Sequence, residues 1–108
     1  MTELTIERVS GHNIADFLFL LTEFSQYEHL TPPDAETRSR LTLDILLYPP
    51  HFEAYLGKLG DRPIGCVSFF MTYSTFLARS TLFIEDLFVL SDYRGQGFGK
   101  KLFSFCRN

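Results

Sequence analysis

Apolar residues alternate with polar ones, or run together, in four short segments that predict β-strands. The first segment is Thr2–Val9, and three more follow in the second half of the chain, over 52–59, 64–73 and 82–90. The last of these is apolar on both faces apart from Glu85 and Asp86, which is typical of a strand covered on both sides. The pattern therefore predicts a four-stranded sheet whose fourth strand is fully buried.

Three other segments carry apolar residues at the three- and four-residue spacing of an α-helix, over 14–28, 35–47 and 97–107. Asn13 and Asp34 stand where the caps of the first two helices are expected. The positions expected to face the core are Ile14, Phe17, Leu18, Leu21 and Phe24, then Leu41, Ile45 and Leu46, and finally Leu102, Phe103 and Cys106. The order βααβββα predicts one α/β domain over residues 1–108, built on a mostly antiparallel sheet.

Composition places this domain among folded proteins. The chain has 108 residues, of which 45% are apolar and twelve are Phe, enough for one packed core. No apolar run approaches the roughly 20 residues that span a bilayer, and Met1–Leu4 does not resemble the start of a signal peptide. We therefore expect a cytoplasmic protein without a membrane partner. Cys66 and Cys106 form no CxxC motif and are expected to be reduced thiols.

Charge is distributed unevenly along the chain. Residues 1–93 hold 6 basic and 13 acidic residues, whereas residues 94–108 hold four basic residues and no acid. An acidic body favours a cationic ligand and a basic tip favours an anionic one, unless the distribution is ordinary surface charge. The basic cluster is too short to indicate a nucleic-acid partner. The three histidines lack the spacing of metal ligands, so no metal is expected.

A glycine-rich turn, Arg94-Gly95-Gln96-Gly97-Phe98-Gly99, directly follows the fourth strand and opens the last helix. It has neither the GxGxxG spacing of a dinucleotide site nor the GxxxxGK[ST] spacing of a P-loop. Glycines at a helix start leave backbone N–H groups accessible to a phosphate, and Arg94 and Lys100 add positive charge. The turn therefore predicts a pyrophosphate site, with a plain glycine turn as the alternative.

This R-x-x-G-x-G pattern after a buried strand resembles the acetyl-CoA signature of the GNAT superfamily of N-acetyltransferases. Four segments are also similar to its diamine (spermidine/spermine) and thialysine acetyltransferase branch: Gln26–Leu30, Tyr73–Phe76, Leu82–Val89 and Ser91–Gly95. The resemblance extends over nearly all of the chain and implies the acyl-CoA N-acyltransferase fold. It also implies that the C-terminal part of this fold, with a fifth strand and a general-acid tyrosine, would lie beyond Asn108.

The resemblance implies a role for each of thirteen residues. The pantetheine arm of acetyl-CoA would bind the backbone of Leu87, Phe88 and Val89, and the pyrophosphate would bind the turn formed by Arg94, Gly95, Gln96, Gly97, Phe98, Gly99 and Lys100. Tyr27, Glu28 and Glu85 would contact a cationic amine, and Glu85 would also help to remove its proton as the catalytic residue. From the residues alone, the alternative for Glu85 is a satisfied strand carboxylate, and the alternative for Tyr27 and Glu28 is an exposed helix end.

The implied activity is transfer of the acetyl group from the cosubstrate acetyl-CoA to a primary amine of a small polyamine, diamine or lysine-like molecule. The alternative is a truncated, catalytically inactive module that binds coenzyme A or associates with itself. A fourth strand without a fifth presents an open edge, so we expect a homodimer.

Overall fold

Four strands form an antiparallel sheet in the computed structural model, which describes residues 3–107. Their order across the sheet follows the chain: β1 (Leu4–Arg8), β2 (Glu53–Leu59), β3 (Arg62–Ser74) and β4 (Arg79–Val89). The helices are α1 (Ile14–Tyr27), α2 (Ala35–Leu46) and α3 (Phe98–Arg107), and a 3-10 turn spans Ser91–Tyr93. The βααβββα order and the antiparallel sheet are therefore confirmed. Thr2, the predicted first residue of β1, lies outside the described residues.

The first two helices begin differently, although both follow a residue that commonly caps helices. Asp34 is a true cap of α2, because its side chain accepts a 2.8 Å hydrogen bond from the Thr37 amide. Asn13 makes no such bond to α1. Its buried side chain instead accepts from the Ser10 amide at 2.7 Å and donates to Glu7 Oε1 and the Arg8 carbonyl, at 3.0 Å each. The predicted cap therefore ties the preceding turn to β1.

The core lies on both faces of the sheet. On the face covered by α1, Phe17 and Leu20 pack against Leu56, Cys66 and Phe88. On the opposite face, Leu102 of α3 packs with Ile64, Val67 and Val89. The prediction that Leu46 and Phe103 face the core is wrong, because these residues are 49% and 38% exposed. Burial raises the pKa of the Cys66 thiol to about 12, so this cysteine stays protonated at neutral pH.

The prediction that β4 is fully buried is also wrong. Within Arg79–Val89 only Phe88 and Val89 are buried, whereas Glu85 is exposed and Phe83 and Leu87 are 52% and 39% exposed. The two core clusters bury only the C-terminal end of this strand, Ile84 packs against one of them while partly buried, and none of residues 3–107 pairs with the outer edge. The apolar sequence of β4 is therefore covered over part of its length.

One lysine joins three elements near the start of the chain. Lys58 Nζ on β2 lies 2.9 Å from Glu7 Oε1 on β1 and 3.0 Å from Asp16 Oδ2 on α1. Hydrogen bonds from Lys58 and Asn13 lower the pKa of Glu7, and hydrogen bonds to Glu7 and Asp16 raise the pKa of Lys58. The cluster fixes the N-terminal end of α1 against the sheet. Across residues 3–107, each helix is too short or too polar to cross a membrane.

Candidate active site

The glycine-rich turn leaves a set of backbone amides without partners. Gly95 and Gly97 have φ angles of +79° and +84°, a region that side chains with a Cβ rarely adopt. The first backbone hydrogen bond into α3 runs from the Lys101 amide to the Gly97 carbonyl, at 3.1 Å. The amides of residues 97–100 therefore precede the helical ladder and are available to an anion.

The outer edge of β4 offers a second set of backbone groups. The Leu90 amide donates to the Ile64 carbonyl at 2.8 Å, and bonded pairs alternate along an antiparallel ladder. Phe88 therefore faces β3, while the amides and carbonyls of Leu87 and Val89 point outward. The Phe88 carbonyl oxygen indeed lies close to β3, because a Cβ added to Gly65 of that strand would be only 2.8 Å from it. Of the three residues predicted to bind the pantetheine arm through their backbone, Leu87 and Val89 thus face the open edge of the sheet. The backbone of Phe88 faces β3, and Phe88 lines the neighbouring cavity described below.

Arg94 links this edge to the end of α1. Its Nε donates a 2.7 Å hydrogen bond to the Val89 carbonyl. Its guanidinium carbon lies 4.0 Å from the centroid of the Tyr27 ring and 5.4 Å from that of Phe88. The arginine side chain is therefore held by one hydrogen bond and by aromatic contacts from two elements.

The position of Tyr27 is set by the way in which α1 ends. The amide of His29 donates to the Gln26 carbonyl at 3.2 Å, and the amide of Leu30 donates to the Ser25 carbonyl at 2.8 Å. These two bonds, with His29 at a φ of +58°, form a Schellman motif. The motif terminates the helix so that Tyr27 and Glu28 lie beside the end of β4.

These elements enclose a cavity of about 380 Å³, here called the loop cavity. Its lining combines ten of the predicted site residues: Tyr27, Glu28, Leu87, Phe88, Val89, Arg94, Gly95, Gly97, Phe98 and Gly99. Phe24 and Tyr93 also line it and were not predicted, because a helical core position and a turn aromatic carry no separate signal in the sequence. Gln96 and Lys100 do not line it; Lys100 lies on another surface groove beside Gly97 and Lys101.

Glu85 lines a different cavity, of about 240 Å³, here called the acidic cavity. Asp86 pairs with Ser68 of β3 and Ile84 pairs with Phe69, so Glu85 is the extra residue of a β-bulge. Glu85 and Asp86 line it together with Phe17, Leu21, Leu41, Phe52, Ser68, Phe69 and Phe70, and the surface that they form is almost entirely apolar. Glu85 is therefore not brought together with Tyr27 and Glu28 in one cavity.

The acidic and loop cavities lie along the same helix. Phe17 and Leu21 of α1 line the acidic cavity, and Phe24 lines the loop cavity, where its ring centroid is 5.0 Å from that of Phe88. Across residues 3–107, no group of three or more His, Cys, Asp or Glu side chains lies in an arrangement that could hold a metal ion.

Comparison with known proteins identifies the family to which a chain with this sheet and this glycine-rich helix start belongs. Residues 15–107 match the family model described as "Acetyltransferase (GNAT) family". The chain belongs to this family, and the fold class predicted from the sequence is confirmed.

Curated relatives include amine acetyltransferases. A thialysine N-epsilon-acetyltransferase of Sus scrofa is 24% identical over 110 residues, which cover 94% of this chain and 64% of that protein. The L-ornithine N5-acetyltransferase NATA1 of Arabidopsis thaliana is 42% identical over 62 residues, which cover 56% of this chain and 27% of that protein. The resemblance to the thialysine branch is thus confirmed at low identity, and the chain spans less than two thirds of the length of these relatives.

Solved structures show the same fold. The structure of AAC(6')-Iy in complex with the bisubstrate analog CoA-S-monomethyl-acetylneamine superposes with a TM-score of 0.77 at 15% sequence identity. The match covers 98% of this chain and 70% of that one. The similarity establishes the fold over almost the entire chain.

Proposed function

We propose that this protein is an N-acetyltransferase that transfers the acetyl group of acetyl-CoA to a primary amine. One observation carries the proposal: the loop cavity combines the outward backbone groups of Leu87 and Val89 with the free amides at the start of α3. An extended ligand with amide groups and a diphosphate matches both sets of groups at once. Enzymes of the GNAT family use acetyl-CoA, which has this chemistry.

The dimensions and charges of the loop cavity support acetyl-CoA as the ligand. A volume of about 380 Å³ lies in the range of roughly 300–1,000 Å³ that is usual for small-molecule sites. The Val89 carbonyl already accepts a hydrogen bond from Arg94. The amide and carbonyl of Leu87 and the amide of Val89 would therefore pair with the pantetheine arm as an added strand. The amides of residues 97–100, with Arg94 and Lys100 nearby, would bind the diphosphate.

The acidic cavity supports a cationic amine as the acceptor. Its carboxylates, Glu85 and Asp86, would attract an ammonium group, and its aromatic and aliphatic walls would pack against a methylene chain. These features favour a diamine, a polyamine or a lysine-like molecule. Glu28, an exposed carboxylate on the loop cavity, would contact a second positive charge of the same substrate.

The reaction requires a neutral amine. Glu85 would accept the proton of the ammonium group through water, which frees the nitrogen lone pair. The nitrogen then attacks the thioester carbon, so that an N–C bond forms, the C–S bond breaks and the sulfur leaves as the thiolate of coenzyme A. The nitrogen loses a second proton as the amide forms, and this proton passes through water to the thiolate, which gives coenzyme A thiol. Glu85 therefore has the catalytic role, and the backbone groups of β4 orient the thioester.

Calorimetric titration of the 108-residue chain with acetyl-CoA tests the cosubstrate. Saturable one-to-one binding is expected, and the absence of binding would overturn the proposal. Release of coenzyme A thiol is then followed with spermidine, ornithine and thialysine as acceptors. Faster release with these amines than with a neutral alcohol of the same length is the expected result.

A specific observation favours self-association as a second function. The outer edge of β4 is unpaired within residues 3–107 and carries the exposed apolar side chains Phe83 and Leu87. Unpaired apolar edges readily pair with another strand. Analytical ultracentrifugation over a range of concentrations measures this directly, and a mass that stays monomeric would exclude it. The homodimer and the cytoplasmic location stay predictions.

A further inference from the structure

We propose that Tyr27 is a positioning residue for Arg94, whose guanidinium it orients toward the diphosphate of acetyl-CoA, and not a contact for the amine substrate. The inference rests on the proposed function, because it assigns Tyr27 to one of the two substrates. It differs from the role expected from the sequence, in which Tyr27 belongs with Glu28 and Glu85.

The Arg94 side chain is held from two sides. Its Nε–H is used by the Val89 carbonyl, at 2.7 Å, and one face of the guanidinium lies 4.0 Å from the Tyr27 ring centroid. A guanidinium has five N–H donors in a fixed plane, and the four on its Nη atoms have no acceptor among residues 3–107. Such a planar pair of NH₂ groups suits two oxygens of a phosphate.

The surroundings of Arg94 limit the freedom of its side chain. Fixing an arginine in one rotamer costs side-chain entropy. Here the ring of Tyr27 and the Val89 carbonyl restrict that freedom before any ligand arrives. Tyr27 is itself fixed at the end of α1 by the Schellman motif at His29. The ligand therefore meets an arginine that is already oriented.

The position of Tyr27 favours Arg94 over the amine as its partner. Arg94 covers one face of the Tyr27 ring, so an ammonium group on that face would have to displace the guanidinium. Tyr27 also lines the loop cavity with the glycine-rich turn, whereas Glu85 lines the acidic cavity. The Tyr27 hydroxyl has no hydrogen-bond partner within the described part of the chain. The ring alone accounts for the contact, so phenylalanine would replace tyrosine.

Four variants test the inference: Tyr27→Phe, Tyr27→Leu, Arg94→Met and the double variant Tyr27→Leu/Arg94→Met. Each is titrated with acetyl-CoA and with acetyl-pantetheine, which lacks the diphosphate. Tyr27→Phe is expected to bind acetyl-CoA within about twofold of the wild type, and Tyr27→Leu about three- to tenfold more weakly. Neither change is expected to alter the affinity for acetyl-pantetheine. Tyr27→Leu is expected to add no further loss once Arg94 is Met, because the ring acts through the guanidinium.

The control is Tyr48→Leu, which removes a tyrosine that is 98% exposed and lines neither cavity. Tyr27→Gln is a second ringless variant if Tyr27→Leu does not fold. Equal acetyl-CoA affinity of the wild type and the ringless variants, or additive losses in the double variant, would overturn the inference while the proposed function stands. A wild-type chain that does not bind acetyl-CoA would overturn the proposed function, and this inference with it.

Discussion

The carboxylate of Asp86 accepts a 3.0 Å hydrogen bond from the hydroxyl of Ser68, its register partner on β3. Ser68 is 3% exposed, so the bond lies away from solvent. Asp86 is the first paired residue after the bulge, and Glu85 is the residue that the bulge leaves without a partner on β3. The Ser68–Asp86 bond therefore helps to set the point at which Glu85 leaves the ladder.

Loss of the Ser68 hydroxyl should destabilise the protein. In Ser68→Ala, the Asp86 carboxylate loses its hydrogen-bond donor at a half-buried position, and we expect unfolding to require about 1–2 kcal/mol less. Urea denaturation followed by circular dichroism measures this difference. Asp86→Asn retains an oxygen that accepts from Ser68, so its loss should be smaller. Equal stability of Ser68→Ala and the wild type would contradict the prediction.

Replacement of Glu85 should affect catalysis more than folding. Glu85→Gln removes the proton acceptor, and the rate of acetyl transfer is expected to fall at least about 100-fold, which is the lower end of the usual contribution of a general base. Glu85 is exposed, so the melting temperature should change little. Asp61→Asn, at the exposed turn between β2 and β3, is the matched control. Unchanged kinetics of Glu85→Gln would disprove the catalytic role.

The glycines of the turn should respond differently to the same substitution. Gly97 has a φ of +84°, so Gly97→Ala is expected to cost about 1 kcal/mol and to distort the amides that begin α3. A Cβ at Gly99 would meet only Val89 Cγ2, at 3.7 Å. Gly99→Ala should therefore leave the stability unchanged or raise it slightly. Thermal unfolding of both variants checks the difference, and equal effects would contradict it.

His29 is a site at which glycine should stabilise the fold. Its φ of +58° at the end of α1 is unfavourable for a residue with a Cβ. His29 is the residue of the Schellman motif that adopts the left-handed αL conformation. His29→Gly is expected to raise the free energy of unfolding by up to about 1 kcal/mol. Gln26→Gly, within the helix, should instead lower it by a similar amount. Chemical denaturation of the two variants provides the comparison.

The cluster around Lys58 should make stability depend on pH. The pKa of Glu7 is lower in the folded protein, chiefly through its hydrogen bond from Lys58, so the unfolded chain takes up the proton first as pH falls. This contribution is complete above the ordinary pKa of 4.5 and disappears as pH falls through the folded value. Lys58→Met should lower stability at pH 7 by about 1–2 kcal/mol and flatten the acid side of the profile. Melting temperatures from pH 3 to pH 7 measure both effects, and parallel profiles for the two proteins would argue against them.

The parts of the fold that depend on local sequence could be predicted closely. The three- and four-residue spacing from Ile14 onward gives α1 its observed start, and Asp34 caps α2 as expected. β3 begins at Arg62, two residues before the predicted start at residue 64, because the turn before it needs only Gly60, at a φ of +62°, and Asp61. The position of the glycine-rich turn between β4 and α3 could be predicted because glycines accumulate where the chain needs positive φ angles.

The remaining features depend on which surfaces meet in three dimensions. The bulge at Glu85 arises from the register of β4 against β3, which a single strand does not encode. The exposure of Phe83 and Leu87 follows from how far α1 and α3 extend over the sheet. The separation of Glu85 from Tyr27 into two cavities likewise depends on how α1 crosses β4. These are tertiary properties. The apolar run of β4 is compatible both with a strand that is covered on both faces and with a strand that is partly exposed.

The order of the strands has a consequence for the folding pathway. β2, β3 and β4 are joined by tight turns and pair in sequence, so most of the sheet requires closure of only short loops. Leu4 of β1, by contrast, pairs with Leu59, and both α1 and α2 lie between them along the chain. During synthesis on the ribosome, β1 therefore has to wait for β2 to emerge, and its docking closes a loop that contains two helices.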